Sequence, residues 1–378
     1  MRSSHHRKGD TMKAQLNCIS LDQAIELQFD LVDHIHRNFP DGSFLNAGDL
    51  GMHVHGHPEY SAMAERTLAA FFRTEDCALV RGAGTGAIRL SLEAVASPLD
   101  TLLIHRAPVY PTTLDTIRYM GLKTISADFN NSSELEQQLQ SNPPTAVLIQ
   151  HARQLPTDSY SLSGLISLIR RNGDYPIVVD DNYAIFKDSV VSTNVGADLS
   201  AFSLFKLQGP PGIGCIIGKR QYVEQIRKRA CSGGTQVQGY EALDALRGLV
   251  NAPVQLAIQA VETDKICNAI RSQIEAGDPF IKDVFIANMQ SRVIMVELTR
   301  PIAPGVIRHA AHLGASPFPV GAESRYEVPA LFYKPSRTFI DCHPEALNTY
   351  IRINPMRAGA ETVLRILRES IKLASEES

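Results

Sequence analysis

Between about residues 60 and 230 the chain alternates short apolar runs with longer segments whose apolar positions recur at helical spacing. The runs at Ala78–Val80, Thr101–His105, Lys123–Asp128, Thr145–Gln150, Pro176–Asp180, Leu199–Leu204 and Ile213–Ile217 predict strands. The periodic segments near Gly86–Val95, Thr113–Met120, Glu134–Gln140 and Leu162–Arg171 predict helices between them. Runs such as AVLIQ and PIVVD are apolar on successive residues, which suits strands covered on both faces. Strand–helix alternation implies right-handed crossovers and a mostly parallel sheet, hence an α/β fold.

The pattern then changes. Gln238 to Gln273 reads as helical, with an interruption at Asn251-Ala252-Pro253. A strand-like RVIMVEL (Arg292–Leu298), a helix near Val306–Leu313, short strands near Leu331 and Thr338, YIRIN (Tyr350–Asn354) and a closing helix from Ala360 to Leu373 predict a smaller α+β domain. Residues 20–37 read as a helix outside the main sheet. The expected division is an N-terminal arm and helix over 1–50, a large ligand-binding domain over 51–250, and a linking helix with the small domain over 251–378.

Composition narrows the function. A chain of 378 residues, 44% apolar, can bury a large core without staples. The net charge of -3 discourages nucleic acid or an anionic membrane as a partner. Runs such as GIGCIIG (Gly212–Gly218) fall far below the roughly 20 apolar residues of a membrane-spanning helix. The basic start, MRSSHHRKGDTMKAQLN, is followed by no apolar stretch and is not read as a secretory signal. Six scattered cysteines without a CxxC pair fit a reducing cytoplasm.

Four features fall at the ends of the predicted strands, where open α/β sheets bind ligands. In RGAGTGAIRLSLEAV (Arg81–Val95), Gly84 and Thr85 offer backbone N–H groups and a hydroxyl at a helix start, an anion site or a plain strand–helix turn. Gly82, Gly84 and Ala87 also fit a dinucleotide fingerprint, but His105-Arg106 stand where its acidic ribose ligand belongs. In HRAPVYPTT, Tyr110 is held between prolines, a rim tyrosine or a face for stacking on a flat ring. In PIVVDDNYAIF, Asp180 ends an apolar strand and requires a cationic or hydrogen-bonding partner, Asp181 reads as a helix cap, and Tyr183 can reach the same ligand. In GADLSAFSLFKLQGPPGIGCIIG, Lys206 lies among Phe202, Leu204, Phe205 and Leu207. It is either a snorkelling lysine or a desolvated amine made nucleophilic towards an aldehyde. Ser203 stands by to hold a phosphate.

An anion turn, a stacking aromatic, a strand-end carboxylate and an apolar lysine together suit pyridoxal 5′-phosphate. The D-x-x-Y of Asp180 and Tyr183, followed by S-x-x-K at Ser203 and Lys206, resembles the core pattern of fold-type I pyridoxal-phosphate enzymes of the aminotransferase superfamily, and within it the YhfS-type bacterial proteins. The resemblance implies that fold, with Lys206 forming the Schiff base and shuttling protons. It also implies Asp180 on the pyridinium nitrogen, Tyr183 on the phenolic oxygen, Gly84, Thr85 and Ser203 on the phosphate, and Tyr110 stacked on the ring. HARQLPTDSY (His151–Tyr160) resembles the N-P-T-G loop of aminotransferases, with Asp158 for the glycine, Leu155 for the asparagine and Gln154 in its polar role. Arg352 resembles the arginine that grips a substrate carboxylate, for which a guanidinium fork is suited. Thr235, in CSGGTQVQG, resembles a loop residue that reaches the phosphate across a homodimer interface.

The implied activity is an aminotransferase acting on an amino acid or amine, with a carbon–sulfur β/γ-lyase second, because both reactions share one electron sink. The segment LQGPPGIG after Lys206 lacks the phosphate-binding arginine of many class I aminotransferases and resembles class V aminotransferases and cysteine desulfurases. Rivals from other classes are an NADP oxidoreductase using Gly82–Ala87 and Arg106, and a cofactor-binding regulator without turnover. In GMHVHGHPEY, His53, His55 and His57 alternate as metal ligands would, but no carboxylate or cysteine completes a set. A substrate-mouth loop with His55 or Tyr60 on the substrate is preferred.

Overall fold

The computed structural model describes residues 18–46, 48, 58–153, 155, 157–230, 234–287, 292–320, 323–336, 339–340 and 343–377. The chain divides after Val254 into two compact units.

The first unit is built on seven strands: β1 (Asp76–Arg81), β2 (Thr101–His105), β3 (Lys123–Ala127), β4 (Ala146–Gln150), β5 (Ile177–Asp180), β6 (Leu199–Ser203) and β7 (Ile213–Gly218). Their order is β1-β7-β6-β5-β4-β2-β3. The four pairs from β6 to β3 are parallel, whereas β7 runs antiparallel to both of its neighbours. The helices of this unit are α1 (Leu21–Asn38), α2 (Glu59–Phe71), α3 (Ala83–Val95), α4 (Pro111–Tyr119), α5 (Ser132–Ser141), α6 (Leu162–Asn172) and α7 (Arg220–Ala230). Alternation along the strands sends residues to two cores. Ala146, Leu148 and Val178 join Ala87, Leu92, Ile117 and Ile226 of α3, α4 and α7 on one face. Val147, Ile149, Ile177 and Val179 join Leu135, Leu139, Leu165 and Ile169 of α5 and α6 on the other. Two covered faces explain why these strands read as unbroken apolar runs. Helices α2 and α7 lie where the sequence pattern predicts no element.

Helix α8 (Gly239–Glu275) runs without a break through Pro253, against the interruption expected there. Proline removes one intrahelical donor and crowds the preceding turn, at about 3 kcal/mol. Leu249, Ala252, Leu256 and Ala257 are buried on either side of it, and their packing outweighs that local cost. The second unit, from Gln255 onward, carries an antiparallel sheet of order β10-β11-β9-β8: β8 (Ile281–Ala287), β9 (Val293–Leu298), β10 (Leu331–Tyr333) and β11 (Tyr350–Asn354). Helices α9 (Ala303–His312) and α10 (Ala360–Glu376) share its core through Val306, Ala310, Val363 and Leu367. Strand β8 has no counterpart in the sequence reading. A register shift between Ile281 and Asp283 breaks the alternation that would have marked it. The strand expected near Thr338 falls on a position outside the described residues. Among the described residues no helix is long and apolar enough to cross a membrane.

Candidate active site

The parallel strands β4, β5 and β6 end side by side, so the residues at and just after their ends become neighbours. Asp180 closes β5 and is 8% exposed. Its Oδ1 accepts from the Asn182 backbone N–H at 3.1 Å and from Asn182 Nδ2 at 2.7 Å. Burial pushes the carboxyl above the ordinary aspartate range. The two Asn182 bonds and the positive charge of Lys206 offset this only in part, and the charge of Asp181 adds to it.

Lys206 sits in the 3-10 turn Leu204–Leu207 directly after β6 and is half-buried. Its Nζ lies 3.5 Å from the centroid of the Tyr183 ring, a close cation–π contact. Lys187 Nζ stands 5.2 Å from the same ring. Ser203, the last residue of β6, is buried opposite Gly214.

The glycine-rich turn approaches Asp180 from the other side. Gly82 adopts the left-handed conformation at φ 101°, which opens the sharp entry into α3. The N–H groups of Gly82 and Ala83 both donate to Gly212 O at 2.8 Å, and Gly86 N–H closes the first helical bond on Gly82 O. The amides of Gly84 and Thr85 lie in the first turn, where a helix has no internal acceptor for them. A Cβ on Gly84 would stand 1.9 Å from Asn182 Oδ1, so a glycine is needed for Asn182 to lie against Asp180. Thr85 Oγ1 and Thr112 Oγ1 are 3.2 Å apart, which links this turn to α4, whose N-cap is the half-buried Tyr110.

The structure thus gathers Asp180, Tyr183 and Lys206, with Gly84 joined through Asn182. Thr235 is placed through its backbone: its carbonyl accepts from Arg81 N–H at 3.0 Å, one residue before Gly82. Tyr60 lies on α2 with its hydroxyl 2.5 Å from Asn46 Nδ2. Arg352 belongs to the second unit. It is 8% exposed on β11, with its guanidinium 4.8 Å from the ring of Tyr333 across the strand pair. Gln154, His55, His53 and His57 lie outside the described residues.

Asp181 requires a correction. A turn, not a helix, follows β5, so Asp181 caps nothing. It is fully buried and bonded to His151 Nδ1 at 2.6 Å and to Ser192 Oγ and Ser200 Oγ, each at 2.5 Å. Asn182 and His151 escape the sequence reading. An asparagine in a turn and a histidine after a strand carry no local signal, and their partners are set by which strand ends lie adjacent.

The class-V aminotransferase family matches residues 117–248, a span holding Asp180, Tyr183, Ser203, Lys206 and Thr235. Together with the sheet and its strand-end lysine and carboxyl, this defines a protein of the fold-type I pyridoxal-phosphate superfamily. The YhfS-like C-terminal domain family matches residues 268–367. The uncharacterized protein YhfS of Escherichia coli (strain K12) is 46% identical over 357 residues, covering 94% of this chain and 98% of that one. The crystal structure of the pyridoxal-5′-phosphate-dependent protein YhfS from Escherichia coli superposes with a TM-score of 0.91, covering 95% of this chain and 98% of that chain at the same identity. The chain belongs to the YhfS family within that superfamily. A probable cysteine desulfurase of Pasteurella multocida is 36% identical over 81 residues, 21% of this chain and 19% of that one. Cystathionine gamma synthase from Xanthomonas oryzae pv. oryzae, at 19% identity and TM-score 0.66 over 95% of this chain and 99% of that one, shares the fold.

Proposed function

We propose that the chain is a pyridoxal-phosphate-dependent enzyme that acts on an amino acid or related amine, with transamination as its outcome. The observation that carries this reading is the shared location of one amine and one under-compensated carboxyl. Lys206 Nζ rests on the Tyr183 ring, and its charge acts on buried Asp180. A carboxyl that burial pushes up suits a cationic ring nitrogen, which would return it to the ionised form. The first-turn amides of Gly84 and Thr85, which the helix leaves without an internal acceptor, are the second feature that fits the group.

Pyridoxal phosphate supplies an aldehyde that condenses with amines and a ring that takes up electrons from the substrate α-carbon. Asp180 would hold the ring nitrogen, with Asn182 fixing the orientation of its carboxylate. Gly84, Thr85 and Ser203 would hold the phosphate, Tyr110 would cover the ring, and Thr235 would reach the phosphate of the partner subunit. Lys206 Nζ serves as the base that removes the α-proton and the acid that returns it, and the Tyr183 ring keeps that nitrogen in place. Arg352 would grip the substrate carboxylate. A homodimer, a cytoplasmic setting and the absence of a nucleic-acid or membrane partner belong to the same proposal.

A carbon–sulfur β/γ-elimination is the second reading, suggested by the cystathionine gamma synthase that shares the fold. Borohydride reduction followed by peptide mass mapping tests the common part: the pyridoxyl group is expected on Lys206 and absent in Lys206→Ala. An adduct elsewhere, or turnover in Lys206→Ala, overturns it. A panel of amino acids then separates the reactions. Both reactions yield a 2-oxo acid, but transamination leaves the aminated cofactor, whereas elimination also releases thiol and ammonia and leaves the cofactor as the aldehyde.

A further inference from the structure

The turn that carries Asn182 and Tyr183 is bracketed by two carboxylates, and a single imidazole binds both. His151, the first residue after β4, makes its Nδ1 contact with Asp181 Oδ1 at 2.6 Å and its Nε2 contact with Asp188 Oδ2 at 3.0 Å. Its backbone N–H donates to Asp180 O at 3.1 Å. With a carboxylate at each nitrogen, both nitrogens donate, so the ring carries two protons and a positive charge. Burial opposes that charge, the two carboxylates overcome it, and the pKa is pushed up to about 9.

The same network reaches the neighbouring strand. Asp181 Oδ2 accepts from Ser200 Oγ on β6, the strand that leads to Ser203 and Lys206, and from Ser192 Oγ. Asp188 Oδ1 accepts from Val190 N–H, which fixes the far end of the turn. The span from Asp181 to Asp188 is therefore stapled at both ends to the residue that follows β4, and between the staples stand the donor to Asp180 and the ring under Lys206.

We propose that His151 is a positioning residue for the active site: clamped between Asp181 and Asp188, it holds Asn182 against Asp180 and the Tyr183 ring beneath Lys206 Nζ. This inference rests on the reading of Lys206 as the cofactor-bearing lysine.

The test compares the cofactor-loaded parent with Asp188→Ala and His151→Leu. It measures visible circular dichroism of the bound chromophore, cofactor retention on dialysis, and thermal unfolding of the cofactor-free protein. Asp188 has a side chain 12% exposed at the rim of the network, so its truncation is expected to lower the cofactor-free melting temperature by several degrees, less than the loss of His151 does. Visible dichroism is expected to fall by about half and retention to weaken about tenfold, the loss of one charge-assisted bond. His151→Leu is expected to change both further in the same direction. If His151→Leu fails to fold, Asp188→Ala decides alone. Parental dichroism and retention in the folded variants overturn the proposal, as does a loss of melting temperature with no change in either signal. A pyridoxyl adduct away from Lys206 removes the cofactor reading itself, whereas a Lys206 adduct with parental signals in the variants overturns only the role of His151.

Discussion

Replacing Gly84 by alanine perturbs the proposed cofactor site through one atom. The added Cβ would lie 1.9 Å from Asn182 Oδ1, 2.6 Å from Cγ and 2.7 Å from Nδ2. Carbon and oxygen rest near 3.5 Å, so the amide must retreat by about 1.5 Å. The amide is the end of a side chain, so it yields before α3 does. Its Nδ2 now sits 2.7 Å from Asp180 Oδ1, and a retreat of that size breaks the bond. A hydrogen bond to a charged group contributes about 1.5–3 kcal/mol, and its loss leaves Asp180, already pushed up by burial, still harder to ionise. Alanine is favoured over glycine by up to about 1 kcal/mol within a helix, which offsets part of the lost bond, so the net loss of stability should stay within about 2 kcal/mol. The expected signature is therefore a split. Thermal unfolding of the cofactor-free variant stays close to the parent, while its dissociation constant for pyridoxal phosphate, followed by visible absorbance, rises at least about tenfold. Binding within twofold of the parent would show that Asn182 does not support Asp180.

Asp180→Asn is expected to raise the melting temperature of the cofactor-free protein at pH 8, because a folded-state carboxyl pKa above the unfolded value costs stability once pH exceeds it. Turnover in the same variant should drop at least about a hundredfold, and a lower melting temperature with parental turnover is the contrary result. Burial pushes Glu65 up to about 7, against the Arg227 charge and the Leu79 N–H bond, so its contribution is complete below about pH 4.5 and lost as pH rises through 7. Across that window the stability difference between parent and Glu65→Gln should tilt by about 3 kcal/mol in chemical denaturation, and parallel curves would contradict the assignment.

The large sheet is legible in the sequence because most of its strands are short, apolar and bounded by polar turns, the edge strand Lys123–Ala127 being the polar exception. Thr101–His105 and Tyr350–Asn354 appear as expected, and the other predicted strands of the first unit differ by a residue or two at their ends. Lys206 and Asp180 are legible for a related reason: a charge at the end of an apolar strand is costly to bury, and that cost marks it. Where the local pattern is broken or overruled, the reading departs from the structure. The bulge in β8 hides a strand, and the packing around Pro253 carries a helix through a residue that on its own ends one.

The strand positions of the large sheet, the glycine-rich turn and the two charged residues at or just after strand ends follow from the sequence alone, because each depends on residues close along the chain. The antiparallel insertion of β7 between β1 and β6, the seating of Asn182 over Gly84, and the clamp of His151 on Asp181 and Asp188 were decided only by the tertiary structure. Each of these depends on which strand ends lie side by side. Strand order is settled by the packing of both sheet faces, and no local period in the sequence encodes it.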